Sequence, residues 1–247
     1  MRTALVSDLH GNAIALETVA ADLERTGVDQ VVCLGDAIQG GPEPERTLAL
    51  LRELGWPVVL GNADAFLIDA GTAAGSGEPV TEAQLAVRAW SVERLGLEGL
   101  AWLEALPPTL ERALGDGRTL LACHGSPGSY DDLIFPYTPE QEFRALLDGV
   151  DADVVAGGHT HLQFVRRLGA TLFVNPGSAG LSYDHEQDAD DFRLDPWAAY
   201  AVLTTGDGAF SLDFRRVPLT VEAVAQAYAA AGHPDAELWA SRWLPRA

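Results

Sequence analysis

A chain of 247 residues, 47% of them apolar, can bury one large core, and its ordinary Gly and Pro content excludes a disordered or collagen-like polymer. Thirty-six Asp and Glu against sixteen Arg and no Lys give a formal charge of −20, which excludes a broad nucleic-acid or anionic-membrane footprint. A small phosphorylated substrate stays open, because bound cations reverse the local field.

Taken in chain order, residues 3–7 (TALVS) form an apolar run too short for a signal-peptide core and are read as a first buried strand. Apolar residues at Ile14, Leu16, Val19, Ala20 and Leu23 predict a helix over 13–25, and 31–34 (VVCL) a second strand. A helix over 44–54 opens with Pro44 and stops before Gly55, and 57–60 (PVVL) reads as a third strand. This alternation is the pattern of a parallel α/β sheet. Residues 70–79 (AGTAAGSGEP) are linker-like, and 81–106, with Trp90 and Trp102, read as a helical insertion or cap within a single domain spanning 1–247. Residues 119–123 and 153–156 predict two more strands buried on both faces. Two strand-turn-strand units follow, at 162–174 and at 198–216 with Gly206-Asp207-Gly208 as the turn, so antiparallel pairing increases toward the C-terminus. A helix over about 220–231 comes next. No apolar run approaches the ~20 residues of a membrane span. Cys33 and Cys123 sit in strand-like runs, as expected of reduced, buried thiols in a cytoplasmic protein.

Ligands of open α/β sheets bind beyond the carboxyl ends of the strands, and five such ends here carry polar residues. They are Asp8-Leu9-His10, Gly35-Asp36, Gly61-Asn62, His124-Gly125 and His159-Thr160-His161. Each has an ordinary reading alone: D-x-H arises by chance, G-D is commonly a turn, and H-x-H can be two surface residues on one strand face. Together they bring four imidazoles, two carboxylates and a carboxamide to one edge. Seven N/O donors exceed a tetrahedral zinc site, but serve two ions if one carboxylate bridges. Two ions ~3.5–4 Å apart clamp a phosphoryl group and activate water near neutral pH. Imidazole and carboxylate ligands suit Mn, Fe, Zn, Co or Ni.

The ordered set D-L-H-G-N, G-D, G-N, H-G, G-H-T-H, over residues 8–161, resembles the calcineurin-like metallophosphoesterase superfamily. "GDAIQGGPEP" (35–44), "HGSP" (124–127) and "NPGSAG" (175–180) resemble the compact prokaryotic phosphodiesterase branch. The resemblance implies a four-layer α/β/β/α sandwich with two mixed β-sheets. It implies one divalent transition-metal ion on Asp8, His10, Asp36 and His161 and another on Asp36, Asn62, His124 and His159, with Asp36 bridging. The implied reaction is hydrolysis of a small phosphate ester by a metal-bridging hydroxide, more readily on diesters than monoesters.

Departures from the family pattern narrow this expectation. Many members read G-N-H, with the His facing the leaving group, whereas here the position is Ala63. General acid catalysis contributes ~10²–10⁴-fold, so its absence weighs most on poor leaving groups. Asp64 is a substitute contact, and Asn12 is either a substrate contact or a helix cap. No D-R-G follows Asp36 and no Arg adjoins the motifs, which disfavours protein phosphatases and symmetrical dinucleoside tetraphosphatases. His185 reads as a solvated loop residue or a replacement acid, and His233 as part of a helix end. Alternatives are an interaction scaffold, as in the metallophosphoesterase-like retromer subunit, and a nucleotide phosphatase or pyrophosphohydrolase. A homo-oligomer is compatible with all of these readings.

Overall fold

In the first strand, β1 (Arg2–Val6), Ala4 and Val6 face one apolar cluster and Leu5 another. That alternation means the strand is covered on both faces. The computed structural model describes residues 1–71 and 79–243. After β1 come α1 (Ala13–Thr26), β2 (Gln30–Cys33), α2 (Pro44–Leu54), α3 (Asn62–Ile68) and α4 (Glu82–Glu104). The middle of the chain supplies β3 (Leu110–Gly115), β4 (Arg118–Ala122), α5 (Glu140–Leu146), β5 (Val154–Ala156), β6 (Gln163–Leu168) and β7 (Thr171–Pro176). The chain ends with β8 (Trp197–Gly206), β9 (Ala209–Pro218), α6 (Val221–Ala231) and α7 (Ala236–Trp243).

One sheet has the order β2-β1-β8-β9 and the other β3-β4-β5-β7-β6, and both are mixed. β1 pairs parallel with β2 but antiparallel with β8. In the second sheet β5 is parallel to both neighbours, while β3 and β6 close the edges antiparallel. Leu5, Val32, Ala201 and Leu203 of the first sheet meet Leu120, Ala122, Val154, Ala156 and Val174 of the second in one shared core. On its outer face the first sheet packs on α1, α2, α4 and α6 through Val6, Cys33, Tyr200 and Val202. On the outer face of the second, Val155 and Phe173 pack on Phe143 of α5. The result is the four-layer sandwich, and each fully buried Leu or Phe in it contributes about 1.5–3 kcal/mol.

The expected third strand is a correction. Residues 57–60 make only one parallel bridge, Cys33 to Val58, because Pro57 donates no hydrogen bond and Leu60 N turns to Pro107 O. The chain then enters α3 at Asn62. The long helix α4 begins at a Thr81/Gln84 capping box and kinks at Gly96, whose φ of 60° breaks the helical path. Of the linker-like stretch 70–79, residues 72–78 lie outside the described residues. Cys33 and Cys123 are free and buried, and burial pushes both thiols up to about 12. Among the described residues no helix is long and apolar enough to cross a membrane.

Candidate metal centre

The seven residues singled out from the strand ends converge. Asp8 and His10 follow β1, Asp36 follows β2, and Asn62 opens α3. His124 follows β4, and His159 and His161 follow β5. The backbone is bent to bring them together. Among the described residues seven non-glycine positions have positive φ, and five are Asp8, His10, Asp36, His159 and His161. The other two, Asp116 and Asp207, sit in hairpin turns. Left-handed backbone costs on the order of 1 kcal/mol at each such residue, so the fold holds this edge against local preference. Close packing tightens it further. A Cβ on Gly61 would overlap Asp36 N and Oδ1, and one on Gly158 would overlap Ser7 Oγ and reach 2.6 Å from Asp8 Oδ2.

Hydrogen bonds aim the ligand atoms inward. Nδ1–H of His10 donates to Gln39 O at 2.8 Å, that of His161 to Leu181 O at 2.8 Å, and that of His124 to Leu34 O at 2.7 Å. With Nδ1–H engaged in this way, Nε2 is the ring atom turned to the centre, and once a ring is neutral its lone pair is free to ligate. Asp36 Oδ1 accepts from Ala63 N at 2.8 Å and Asp8 Oδ2 from His159 N at 3.2 Å, leaving Asp36 Oδ2 and Asp8 Oδ1 for the centre.

These inward atoms form two groups, Asp8/His10/His161 and Asp36/His124/His159, with the atoms of each group within 4.8 Å of one another. Asp36 Oδ2 lies 3.3 Å from His124 Nε2 and 3.7 Å from His10 Nε2, so it adjoins both. The inward nitrogens and oxygens lie within hydrogen-bond distance of one another. His10 Nε2 is 3.2 Å from His161 Nε2, and Asp8 Oδ1 has no hydrogen-bond partner although it is buried. The outer end of the Asn62 amide lies 2.9 Å from His124 Nε2, 2.9 Å from His159 Nδ1 and 3.2 Å from Asp36 Oδ2, where its nitrogen donates in the metal-free protein and its oxygen, after a flip, would ligate an ion. A buried cluster of imidazole nitrogens and carboxylate oxygens is costly unless protons or a cation sit among them, and this donor set fits divalent metal ions.

The electrostatics agree. Against burial, Asp36 and then Asp8 push His124 up to about 10, and Asp8 raises His161. Burial is outweighed at the carboxylates too, and the imidazoles hold Asp36 and Asp8 below the usual range. Burial and the neighbouring His124 bring His159 down to about 4, and burial lowers His10. A protonated imidazole and a divalent cation answer the same negative potential, but the cation serves every acceptor at once.

Asn12 and Asp64 both hydrogen-bond within the protein. Asn12 caps α1 by accepting from Ala15 N at 3.0 Å, while its amide donates to Gly180 O at 3.1 Å. Asp64 is fully buried, and its two oxygens accept from Ala37 N and Ile38 N at 3.0 Å each, bracing the loop after Asp36. Burial and the adjacent Asp36 push its carboxyl up to about 7. The 175–180 turn is a brace as well: Ser178 Oγ donates to Asp8 O at 2.8 Å and Asn175 Nδ2 to Gly158 O at 2.6 Å. His185 is exposed and stacks on Tyr183 at 4.5 Å, and His233 is buried between Trp90 and Tyr228.

A cavity of about 390 Å³ opens on the cluster and is lined by His10, Asp36, Asn62, Ala63, His159 and His161 at that end. Its far wall, Val87, Tyr183, Phe192, Leu194 and Trp239, carries no sequence motif and was not anticipated from the strand ends. A usable signal for part of it was the aromatic content of the C-terminal helices.

Two mixed sheets between helices, with paired His/Asp groups at the carboxyl edge, define an α/β protein equipped to bind divalent metal. The chain belongs to the calcineurin-like phosphoesterase superfamily, whose domain matches residues 1–193. It is similar to the metallophosphoesterase of Sphaerobacter thermophilus, with 28% identity, a TM-score of 0.72 and 98% of each chain covered. It shares the fold of protein PH1004 of Pyrococcus horikoshii at 19% identity, a TM-score of 0.78 and 96% coverage of each chain. It is also 26% identical over 183 residues to the uncharacterised protein MJ0912 of Methanocaldococcus jannaschii, covering 73% of this chain and 71% of that protein.

Proposed function

We propose that the chain is a dinuclear metal-dependent phosphoesterase that hydrolyses phosphodiesters in preference to monoesters. The observation that carries this reading is the pair of inward-facing groups, Asp8/His10/His161 and Asp36/His124/His159, with Asp36 Oδ2 beside both. Asn62 joins the second group. Mn, Fe, Zn, Co and Ni all suit this donor set. When bound, the ions supply polarisation of the phosphoryl oxygens and water acidic enough to attack near neutral pH.

The chain's own contribution is orientation. The carbonyls of Gln39, Leu181 and Leu34 fix the imidazoles, and Ala63 N fixes Asp36. Among the described residues no Ser, Thr or Cys lines the cavity, which favours direct attack of water on phosphorus over a covalent intermediate. Among the described residues the cavity lining holds no Arg or Lys, so a diester monoanion meets less unopposed charge there than a monoester dianion. The same reading treats residues 1–247 as one domain with α4 as its cap. The free, buried cysteines fit a cytoplasmic site of action.

The test is reconstitution of the purified protein with each of the five metals. Elemental analysis is expected to find about two ions per chain, with kcat/KM for a diester at least about tenfold above that for the matched monoester. No bound ion, or no hydrolysis across a broad ester panel with any metal, would overturn the proposal.

A further inference from the structure

We propose that the cavity beside the cluster receives an uncharged aromatic group carried on the scissile oxygen, so that the substrate is an aryl or similarly acidic ester with a single phosphate. This rests on the phosphoesterase reading and adds the substrate class. The far wall is apolar, and an aromatic path leads into it from the cluster. The ring of His161 lies 5.4 Å from that of Tyr183, which lies 5.1 Å from that of Phe192. Trp239 of α7 and Val87 of α4 complete the surface. Such a pocket, apolar with few polar groups and at the small end of ligand cavities, suits one ring system.

Charge excludes the commoner phosphate compounds. A second or third phosphate extending from the cluster would meet no Arg or Lys among the described lining residues, but would meet the carboxylate of Asp235. Arg242 does not relieve this, because it lies against the rings of Phe192 and Trp239, 5.0 and 4.4 Å from their centroids, and does not line the cavity. Gln84, one of the few polar lining groups, is already bonded through its side-chain oxygen to Thr81 N at 2.8 Å.

The lack of a proton donor at position 63 points the same way independently. Ala63 offers the cavity only a methyl group. During hydrolysis water's oxygen bonds to phosphorus, its proton passes to solvent, and the P–O bond breaks with its electron pair on the leaving oxygen. A phenolate, whose conjugate acid has a pKa of about 10, carries that charge unaided, whereas an alkoxide needs a proton.

The test compares phenyl methyl phosphate with dimethyl phosphate, a cyclic nucleotide and a nucleoside triphosphate, on metal-reconstituted protein. Calorimetric binding of phenylphosphonate against methylphosphonate is the readout that needs no turnover. Phenylphosphonate is expected to bind about tenfold more tightly, and Trp239→Ala to reduce that ratio to about threefold or less. Ala83→Arg, at an exposed position on the cavity lining, should weaken phenyl discrimination and favour the triphosphate without disturbing the core. Equal binding of the two phosphonates, or faster cleavage of the cyclic nucleotide or triphosphate than of the phenyl ester, would overturn the inference while leaving the phosphoesterase reading intact. Absence of all hydrolysis would overturn that reading instead; tighter phenylphosphonate binding would still support the aromatic pocket.

Discussion

Two buried polar clusters in this chain have opposite hydrogen-bond balance. On the inner face of α1, Asp22 accepts from Tyr200 Oη at 2.6 Å, from Arg25 at 2.9 Å and from Arg215 Nε at 3.2 Å. Every acceptor there has a donor, and the cluster ties α1 to β8 and β9. At the carboxyl edge, Asp8 Oδ1 has no partner and the Nε2 atoms of His10 and His161 face each other. The first cluster is complete with the protein's own atoms. The second is left incomplete by the protein's own atoms, and its left-handed backbone shows that other stabilisation in the fold holds it in place.

Asp36→Asn breaks the second cluster and should have the largest effect. Loss of about 10³-fold or more in kcat/KM, close to 4 kcal/mol, is expected, together with loss of bound metal by elemental analysis. Thermal stability in chelator should fall only modestly, because the imidazoles that hold the Asp36 charge in the metal-free protein lose it, while repulsion with Asp8 and Asp64 is relieved. In the parent protein, metal at 100 times its Kd should add about 2.7 kcal/mol of stability, and Asp36→Asn should forfeit most of that gain. A variant that melts far below its parent in chelator would mean Asp36 is structural, and the contrast between the clusters would fail.

The contrast also explains what could be read from the sequence. All seven acceptor residues were legible because strand ends recur with Gly beside Asp, Asn or His, as in Gly35-Asp36 and Gly61-Asn62. Strands buried on both faces are equally plain, so residues 3–7 and 153–156 were recognisable as β1 and β5. Residues 57–60 have the same composition but made no strand, because Pro57 and the early turn into α3 leave one bridge. β3 alternates only weakly, with Glu111 exposed, and its best signal was the Asp116-Gly117 turn behind it. The cavity's far wall was hidden for a different reason. Val87, Phe192 and Trp239 come from distant segments, and only tertiary packing brings them together.

Asp22→Ala tests the satisfied cluster. It leaves Tyr200 and Arg215 without their acceptor, and a loss of about 2–3 kcal/mol is expected in urea unfolding, with metal content unchanged. The pH dependence has a definite sign. Burial acts against the Asp22 charge, but Tyr200, Arg25 and Arg215 outweigh it and lower its pKa in the folded protein. Its contribution is therefore complete above the ordinary carboxylate value and is lost as pH falls through the depressed one. Below that range parent and variant should converge in stability. A constant difference down to the acid limit would show that packing, not charge, is what Asp22 supplies.

Asn12 lies between the two kinds of cluster, since it directly follows the Asp8-Leu9-His10-Gly11 motif but its oxygen and its nitrogen each already have a protein partner. Its oxygen caps α1 at Ala15 N and its amide reaches Gly180 O. Asn12→Ala should therefore cost about 1–2 kcal/mol, a fall of roughly 2–8 °C in Tm, with KM for any ester changed less than about twofold. Asn12→Asp should keep the cap and recover part of the loss, because either carboxylate oxygen accepts from Ala15 N while Gly180 O loses its donor. If KM rose severalfold while Tm held, Asn12 would belong to the substrate surface. Position in a motif would then outweigh the completeness of its hydrogen bonds as a guide to role.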